Sequence, residues 1–272
     1  EQAAQYGLWV MVNTEQQLRW LEESTIKQPV GCWLKIDTGM HRLGFAPEQA
    51  AACYQRLSAC RQAQQDIVLA THFSCADDLQ SDLTRAQLNE FRSACAGLQV
   101  QRSAANSAGV LAWPTAHYDW IRPGYMLYGN SPMTSEHPAA QQLQPVMTLV
   151  SAVTALRQVA TGETVGYGAG WRAQRPTRIA TVSIGYGDGY PRLAPAGTPV
   201  LVNGQRAALA GRVSMDMITV DVTDLPGVGI GDEVVLWGEG LPLSEVAQHA
   251  GTIGYELTTR MPARTPRVVV KH

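Results

Sequence analysis

The chain has 272 residues, 45% hydrophobic and 16% charged, enough to bury one large core or two smaller ones, and this composition excludes a disordered chain. Its 21 basic and 23 acidic residues give a net charge of −2 without any Lys/Arg-rich run, which argues against a nucleic-acid partner. The longest apolar stretches fall far short of the roughly 20 residues that span a bilayer, so we expect no membrane helix.

The cysteines and lysines are few and unevenly placed. The five cysteines all precede residue 100, show no CxxC spacing and are odd in number, which predicts reduced thiols in a cytoplasmic protein and no metal site. The lysines are Lys27, Lys35 and Lys271, so lysine chemistry has few candidates. The start at Glu1 has neither an initiator Met nor the order of a secretory signal, and we interpret it as a cut.

The first half of the chain alternates short apolar runs with helical periods, which is the pattern of parallel β/α units. Thr14, with Gln17 three residues later, predicts the capped start of a helix. A closed parallel barrel needs more strands than the runs supply, and the glycine fingerprint of a doubly wound sheet is missing. We therefore predict that residues 1–137 form the C-terminal portion, about five β/α units, of a (β/α)8 TIM-type barrel. The runs are LWVMV (8–12), GCWLKI (31–36), IVLAT (67–71), RSAAN (102–106) and the stretch around DWIRPG (119–124).

Strand patterns replace helical periods after the stretch TSEHPAAQQLQP. We predict a mostly β C-terminal domain over residues 138–272, with one helix near LSEVAQHAG. Asn203-Gly204 lies between two apolar runs and predicts a β-hairpin. The chain is thus expected to combine an α/β domain with a β domain.

Polar side chains follow four of the five runs, where a β/α barrel carries its chemistry. Any one of them alone is more often a satisfied cap or ion pair, but four at one barrel face favour a site. The turn at Asn106 and the Arg-Pro-Gly segment could direct donors toward a phosphate, which suggests a phosphorylated cofactor or sugar without choosing between them. The residues are Lys35 with Asp37 and Arg42, His72, Asn106 with Ser107, and Arg122 with Gly124.

The β domain supplies a second cluster in SIGYGDGYPR (183–192) and GRVSMDM (211–217). We expect Gly185, Gly187 and Gly189 to free the backbone around Tyr186, so that its phenol reaches out of a strand end. The alternative is a glycine-rich turn with packed tyrosines. A proton-transferring tyrosine needs its pKa of about 10 lowered by a neighbour, for which His72 or an arginine is available.

These segments closely resemble bacterial alanine racemase, in the order of the family and over almost the whole chain. The resemblance implies a barrel followed by a β domain, a pyridoxal 5′-phosphate cofactor, and interconversion of L- and D-alanine for peptidoglycan. It also implies a homodimer in which the β domain of one chain caps the barrel of the other. The matching blocks are LKIDTGMHRLGF, THFSCAD, AANSAG, IRPGYMLYG, VGYGAGW, IGYGDGYPR, GTPVLVNG, GRVSMDM and WGEGLP.

The resemblance also implies roles for individual residues. Arg42 would reach the phenolic oxygen of the cofactor, and Lys35 would be the lysine that is often carbamylated and holds Arg42 in place. Arg122 would donate to the pyridine nitrogen, which then stays largely unprotonated and makes the cofactor a weaker electron sink. His72 would link Arg122 to Tyr186, the base that removes the α-proton of L-alanine.

Further residues are implied to hold the cofactor and the substrate. Asn106, Ser107, Gly124, Tyr125 and Tyr255 would bind the cofactor at or near its phosphate. Met215 and Asp216 would line the substrate side, with the Met215 backbone N–H meeting the carboxylate, and Tyr167 would stand at the entrance. A site closed by two tyrosines and a methionine leaves room for a methyl side chain and little more.

The lysine that forms the Schiff base with the cofactor lies, in the family, in a VVKANAYGHG-like block that this sequence lacks. We therefore expect an N-terminally truncated or nicked form that does not racemise alanine alone, with the missing N-terminal fragment as a partner. Two alternatives remain open: a non-catalytic remnant that acts as a binding or dimerisation module, and a barrel-type pyridoxal phosphate amino-acid decarboxylase. Such decarboxylases need an acidic group for a distal amine and lack the IGYGDGYPR and GRVSMDM blocks.

Overall fold

The computed structural model describes residues 1–133 and 137–270, so Lys271 lies outside the described residues. The chain divides into two compact units. The first contains Glu1–Met126 and Ser131–Gln142, and the second contains Leu127–Asn130 and the chain from Leu143 onward. Residues 138–142, placed by the sequence in the second domain, therefore lie in the first unit.

The first unit is built on a parallel sheet of four strands in the order β1-β2-β3-β4. Helices alternate with these strands, as the periodicity predicts. The strands are β1 (Trp9–Val12), β2 (Gly31–Lys35), β3 (Val68–Ala70) and β4 (Gln101–Ser103). The helices are α1 (Gln2–Gln5), α2 (Glu15–Glu23), α3 (Ala50–Ala59), α4 (Leu83–Ala94), α5 (Ser107–Ala112) and α6 (Pro138–Gln141).

The fifth predicted run does not form a strand. It contributes a single parallel bridge between Ser103 and Trp120. Two residues later the Arg122 amide donates to the Ala105 carbonyl at 2.9 Å, and then Pro123, which has no amide hydrogen, ends any ladder. The prediction of five strand-forming units is therefore wrong by one strand.

The start of α2 follows the predicted capping pattern. The Thr14 hydroxyl accepts from the Gln17 amide at 3.3 Å. The Gln17 side chain reaches back to the Asn13 amide at 2.7 Å, one residue before the cap. Two backbone donors that a helix start leaves unpaired are satisfied in this way.

The second unit is a closed antiparallel barrel in the order β10-β11-β8-β5-β12-β9, with a separate two-stranded sheet of β6 and β7. Asn203 and Gly204 join β9 to β10 with φ values of +49° and +75°, so the predicted hairpin is confirmed. The strands are β5 (Leu149–Val159), β6 (Thr164–Val165), β7 (Trp171–Arg172), β8 (Thr177–Val182), β9 (Pro199–Val202), β10 (Gln205–Leu209), β11 (Ile218–Asp221) and β12 (Glu233–Trp237). Helix α7 (Leu243–His249) was predicted, whereas α8 (Gly254–Thr259) was not.

Each unit has its own apolar core. In the first, Leu34 and Leu69 of the sheet pack with Phe91 of α4. In the second, the rings of Tyr190 and Trp237 stack with centroids 5.8 Å apart, and both side chains are fully buried. Across residues 1–133 and 137–270, no helix has the length and apolarity needed to cross a bilayer.

Candidate functional site

A cavity of about 130 Å³ opens in the first unit where the parallel strands end. Four residues predicted from their positions after the runs meet there, namely Lys35, Arg42, His72 and Arg122. Asn13 directly follows β1 and also lines the cavity, although it was not among the predicted site residues. The lining residues are Met11, Asn13, Lys35, Met40, Arg42, Leu43, His72 and Arg122.

Arg122 is held in one orientation by acceptors from the neighbouring strand ends. Its Nη1 donates to the Ser103 hydroxyl at 2.6 Å, and its Nη2 donates to the Thr71 carbonyl. The guanidinium carbon also lies 6.0 Å from the centroid of the Trp33 ring, within the range of a cation–π contact. Burial lowers the pKa of Arg122 to about 10, so the group stays charged at neutral pH.

Lys35 ends β2 and is buried. Its Nζ donates to the carbonyls of Ile36 at 3.2 Å and Leu43 at 3.4 Å. Burial lowers the pKa of Lys35 to about 8, and the charges of Arg122 and Arg42 contribute, while Asp37 opposes the shift. A substantial fraction of the amine is therefore neutral, and so nucleophilic, in mildly basic solution.

His72 follows β3 and is neutral at physiological pH. Burial lowers its pKa to about 4, and the positive charges of Arg122, Arg42 and Lys35 add to the shift. Gln87 of α4 holds this segment, because its amide nitrogen donates to the His72 carbonyl at 2.9 Å. Gln87 was not predicted as a site residue, because the helical periodicity does not distinguish it from the other polar residues of α4.

The loop that carries Arg42 is organised by Asp37. One carboxylate oxygen of Asp37 accepts from the amides of Gly39, Met40 and His41 at 3.0 to 3.1 Å. That carboxylate therefore stabilises the loop, and among the described residues that line the cavity none is acidic. The cavity is electropositive and suits an anionic ligand.

Asn106 and Ser107 stabilise the turn into α5. The Asn106 side-chain oxygen accepts from the Gly109 amide at 2.9 Å and caps the helix. The Ser107 hydroxyl accepts from the amides of Gly124 and Met126 at 3.0 and 3.3 Å, so it joins the turn to the segment after Arg122. A Cβ built on Gly124 would meet no atom within 4 Å, which leaves open space beside this junction.

The second unit brings Tyr186 next to Met215 and Asp216. The Tyr186 amide donates to the Ser214 carbonyl at 3.0 Å, and the Gly187 amide donates to the Met215 carbonyl at 2.8 Å. The Tyr186 ring is 41% exposed and carries the guanidinium carbon of Arg192 at 5.9 Å from its centroid. The backbone of Tyr186–Gly187 is thus hydrogen-bonded directly to the backbone of Ser214–Met215.

The expected reason for the glycines around Tyr186 is only partly correct. Gly189 has a φ of +99° and needs the freedom of glycine. At Gly185 the requirement is space, because a Cβ there would lie 2.3 Å from the carbonyl oxygens of Ser214 and Met215. Close packing of neighbouring segments therefore accounts for Gly185.

The remaining predicted tyrosines lie on other elements. Tyr167 begins the short turn Tyr167–Ala169 after β6 and is 68% exposed. A Cβ on the next residue, Gly168, would meet the Arg212 guanidinium at 3.0 Å, so this turn lies beside an arginine. Tyr255 lies on α8 and is 40% exposed, whereas Tyr125, which follows Gly124, is buried.

These features define a protein with an α/β unit and a β-barrel unit, in which the α/β unit carries a cationic cavity at its strand ends. Residues 1–132 match the profile of the alanine racemase N-terminal domain, and residues 146–269 match that of the C-terminal domain. Alanine racemase of Shewanella frigidimarina is 51% identical over 98% of this chain and 71% of its own length. That of Chromohalobacter salexigens is 53% identical over 96% of this chain and 72% of its own length.

Solved structures agree with the sequence matches. Biosynthetic alanine racemase from Pseudomonas aeruginosa superposes with a TM-score of 0.94 at 50% identity, over 98% of this chain and 74% of that one. Alanine racemase from Bartonella henselae, with covalently bound pyridoxal phosphate, superposes with a TM-score of 0.86 at 29% identity, over 98% of this chain and 75% of that one. The chain belongs to the alanine racemase family, a family of pyridoxal phosphate-dependent isomerases. The predicted family and the coarse fold, an α/β barrel-type domain followed by a β domain, are confirmed.

Proposed function

We propose that this chain contributes the cofactor and substrate sites for the interconversion of L- and D-alanine, with pyridoxal phosphate in the cavity of the first unit. The observation that carries the proposal is the cluster of Lys35, Arg42, His72 and Arg122, without an acid among the described lining residues. The cofactor carries a phosphate and a phenolic oxygen, and both suit such a site. When bound, it stabilises negative charge on the substrate α-carbon.

Arg122 is proposed to donate to the pyridine nitrogen. Its contacts with Ser103 and Thr71 fix the direction of the guanidinium, and its pKa of about 10 keeps it protonated. A donor that retains its proton leaves the ring nitrogen unprotonated and limits electron withdrawal. His72, neutral because its pKa is lowered to about 4, is able to accept a hydrogen bond beside it.

Lys35 is proposed to form a carbamate that orients Arg42. The neutral amine would attack CO2, form one N–C bond as one C–O π bond of CO2 opens, and release one proton, so that a neutral group becomes a carbamate anion; starting from the protonated lysine, two protons leave in all. The lowered pKa of Lys35, about 8, supplies the neutral amine. The product would pair with Arg42, which lines the same cavity, and Arg42 would then face the phenolic oxygen of the cofactor.

The phosphate is proposed to lie beside Ser107 and Gly124. The hydroxyl of Ser107 is already fixed at the junction of the two loops, and the space at Gly124 is open. Asn106 supports this place by capping α5. Tyr125 and Tyr255 are assigned to the same cofactor site on the resemblance.

Two tyrosines compete for the role of proton acceptor toward L-alanine. The family resemblance assigns the role to Tyr186, and the guanidinium of Arg192 lies over one face of its ring. Tyr167 is more exposed, at 68%, and stands beside Arg212. In both places a guanidinium lies close to the tyrosine or to its turn, and both side chains are open to solvent. We therefore propose that the proton acceptor toward L-alanine is the phenol of either Tyr186 or Tyr167.

Matched Tyr186→Phe and Tyr167→Phe variants identify which phenol acts. In a racemising preparation that contains this chain, exchange of the α-hydrogen with D2O is followed separately for L- and D-alanine. The variant that loses exchange of L-alanine carries the acceptor. Full exchange in both variants would contradict the assignment.

The substrate and the assembly follow from the same reading. Met215 and Asp216 are proposed to line the substrate side, leaving room for a methyl group. The protein is proposed to be a cytoplasmic homodimer in which exposed tyrosines of one copy complete the cavity of the other. We also propose that the parallel sheet is part of a (β/α)8 barrel, which the parallel bridge at Trp120 supports.

The proposed site is tested with phosphopyridoxyl-L-alanine, a stable conjugate of cofactor and substrate. Calorimetric titration should show binding to the unaltered chain and about ten- to a hundredfold weaker binding to Arg122→Gln, because a charge-assisted hydrogen bond is lost. Arg61→Gln, at an exposed position outside the cavity, is the matched control. Equal affinity of the Arg122→Gln variant and the unaltered chain for this conjugate would overturn the proposal. If the unaltered chain binds phosphopyridoxyl-L-lysine more tightly than phosphopyridoxyl-L-alanine, a decarboxylase of basic amino acids is favoured instead.

A further inference from the structure

Arg264 joins the two turns that the second unit contributes to the proposed site. Its Nε donates to a carboxylate oxygen of Asp188 at 2.9 Å, within the Tyr186–Asp188 turn. Its Nη2 donates to a carboxylate oxygen of Asp216 at 2.7 Å, in the Met215–Asp216 segment. One guanidinium thus bridges two carboxylates, each next to or within a segment assigned to the substrate.

The glycines of the Tyr186 turn are shaped around the segment that carries Arg264. A Cβ on Gly187 would lie 2.5 Å from an Arg264 guanidinium nitrogen. A Cβ on Gly189 would lie 3.1 Å from each of three atoms, one each in Arg260, Met261 and Pro262. The hydroxyl of Thr265 also donates to the Asp188 carbonyl at 2.9 Å. Residues 260–265 therefore pack closely along the turn.

The second carboxylate oxygen of Asp188 faces the backbone of its own turn. It accepts from the Gly185 amide at 2.9 Å, so Asp188 is fixed on one side by its own turn and on the other by Arg264. The Asp216 carboxylate, in contrast, pairs only with Arg264 among residues 1–133 and 137–270, and its side chain is 58% exposed. The position of the Asp216 side chain consequently depends on Arg264.

We propose that Arg264 is a positioning residue that sets the distance between the Tyr186 turn and the Met215–Asp216 segment, and so tunes affinity for the substrate and not for the cofactor. The inference rests on the proposed function, because that function places the substrate at these segments. The arginine is half-exposed and the pairs are partly solvated, so their contribution to global stability is small. The two ion pairs of Arg264 instead fix the distance between the two segments.

Hydrogen–deuterium exchange followed by mass spectrometry tests the bridge in the full chain without any ligand. Arg264→Gln should speed exchange about two- to fivefold in peptides that cover residues 185–190 and 213–217, and leave the strands of the barrel unchanged. Arg264→Lys should give an intermediate effect, because a single ammonium replaces a fork that reaches both carboxylates. Gly187→Ala, which displaces the guanidinium, should resemble Arg264→Gln.

Arg267→Gln is the matched control, since Arg267 directly follows the same segment and donates to the Met261 carbonyl at 3.5 Å instead of to Asp188 or Asp216. In binding experiments, Arg264→Gln should weaken phosphopyridoxyl-L-alanine about fivefold and leave the affinity for pyridoxal phosphate unchanged. Unchanged exchange in both peptides, or equal weakening of both ligands, would overturn the proposal. If the unaltered chain does not bind the conjugate, the proposed function fails, and the exchange experiment alone decides whether Arg264 forms the bridge.

Discussion

The charge on each side chain of the cavity depends on how far burial removes it from water and on which neighbours share the space. His72 and Lys35 both lose affinity for protons, because burial disfavours their charged forms and the nearby cations repel a further positive charge. Arg122 keeps its proton despite the same burial, since its pKa starts far higher. One pocket thus holds a neutral imidazole, a partly neutral amine and a permanent cation.

The lowered pKa of His72 predicts a specific loss of stability in acid. Between its unfolded pKa of about 6.5 and its folded pKa of about 4, the unfolded chain binds the extra proton, so the free energy of unfolding falls as the pH falls through this window. After allowance for partial exposure, the loss should be about 1–2 kcal/mol. Denaturant unfolding at pH 7 and pH 4 should show a smaller decrease for His72→Gln than for the unaltered protein. Equal decreases would refute the assignment.

The lowered pKa of Lys35 predicts selective carbamylation. In bicarbonate buffer, native mass spectrometry should show the added mass of one CO2, which increases as the pH rises through about 8 and disappears on acidification. Lys35→Gln should lack the adduct, and Lys27→Gln, which removes an exposed loop lysine, should retain it. If pyridoxal phosphate and borohydride reduction leave a covalent adduct that maps to Lys35, this residue is instead the lysine that forms the Schiff base with the cofactor.

In the turn around Tyr186, closely packed neighbouring segments leave no room for a side chain at Gly185. Gly185→Ala should destabilise the protein by about 2–4 kcal/mol, because the added Cβ would overlap the backbone oxygens of Ser214 and Met215 and neither segment can move without breaking their mutual hydrogen bonds. Gly227→Ala is the matched control, since a Cβ at Gly227 meets no atom within 4 Å. Thermal unfolding of the two variants makes the comparison, and similar melting temperatures would contradict the packing argument.

Local elements differ in how well their sequence alone predicts them. The Thr14 cap and the Asn203-Gly204 hairpin were predicted correctly, because each depends on a few adjacent residues. Helix α8 was missed, because its six residues carry too short an apolar period to stand out. The glycines of the Tyr186 turn were assigned to flexibility, because the segments that pack against them lie far away in sequence.

At the scale of the whole molecule, the two units and the cationic cavity follow from different kinds of information. The change from helical to strand periodicity predicts an α/β part and a β part, and the structure has both. The strand-end rule predicts Lys35, His72 and Arg122 in one place, because parallel strands bring their carboxyl ends together. Arg42 also follows the second run, but its place in the cavity depends on the loop that Asp37 organises, and its role comes from the family resemblance. Contacts such as Arg264 with Asp188 and Asp216 join distant segments, so no local pattern could have predicted them.

The central claim is that the cationic cavity of the first unit holds the cofactor. The most direct measurement is a crystal structure of the chain with phosphopyridoxyl-L-alanine. We expect ligand density in the cavity lined by Lys35, Arg42, His72 and Arg122, with the pyridine nitrogen at Arg122 and the phosphate beside Ser107 and Gly124. Ligand bound elsewhere, with this cavity holding only water, would contradict it.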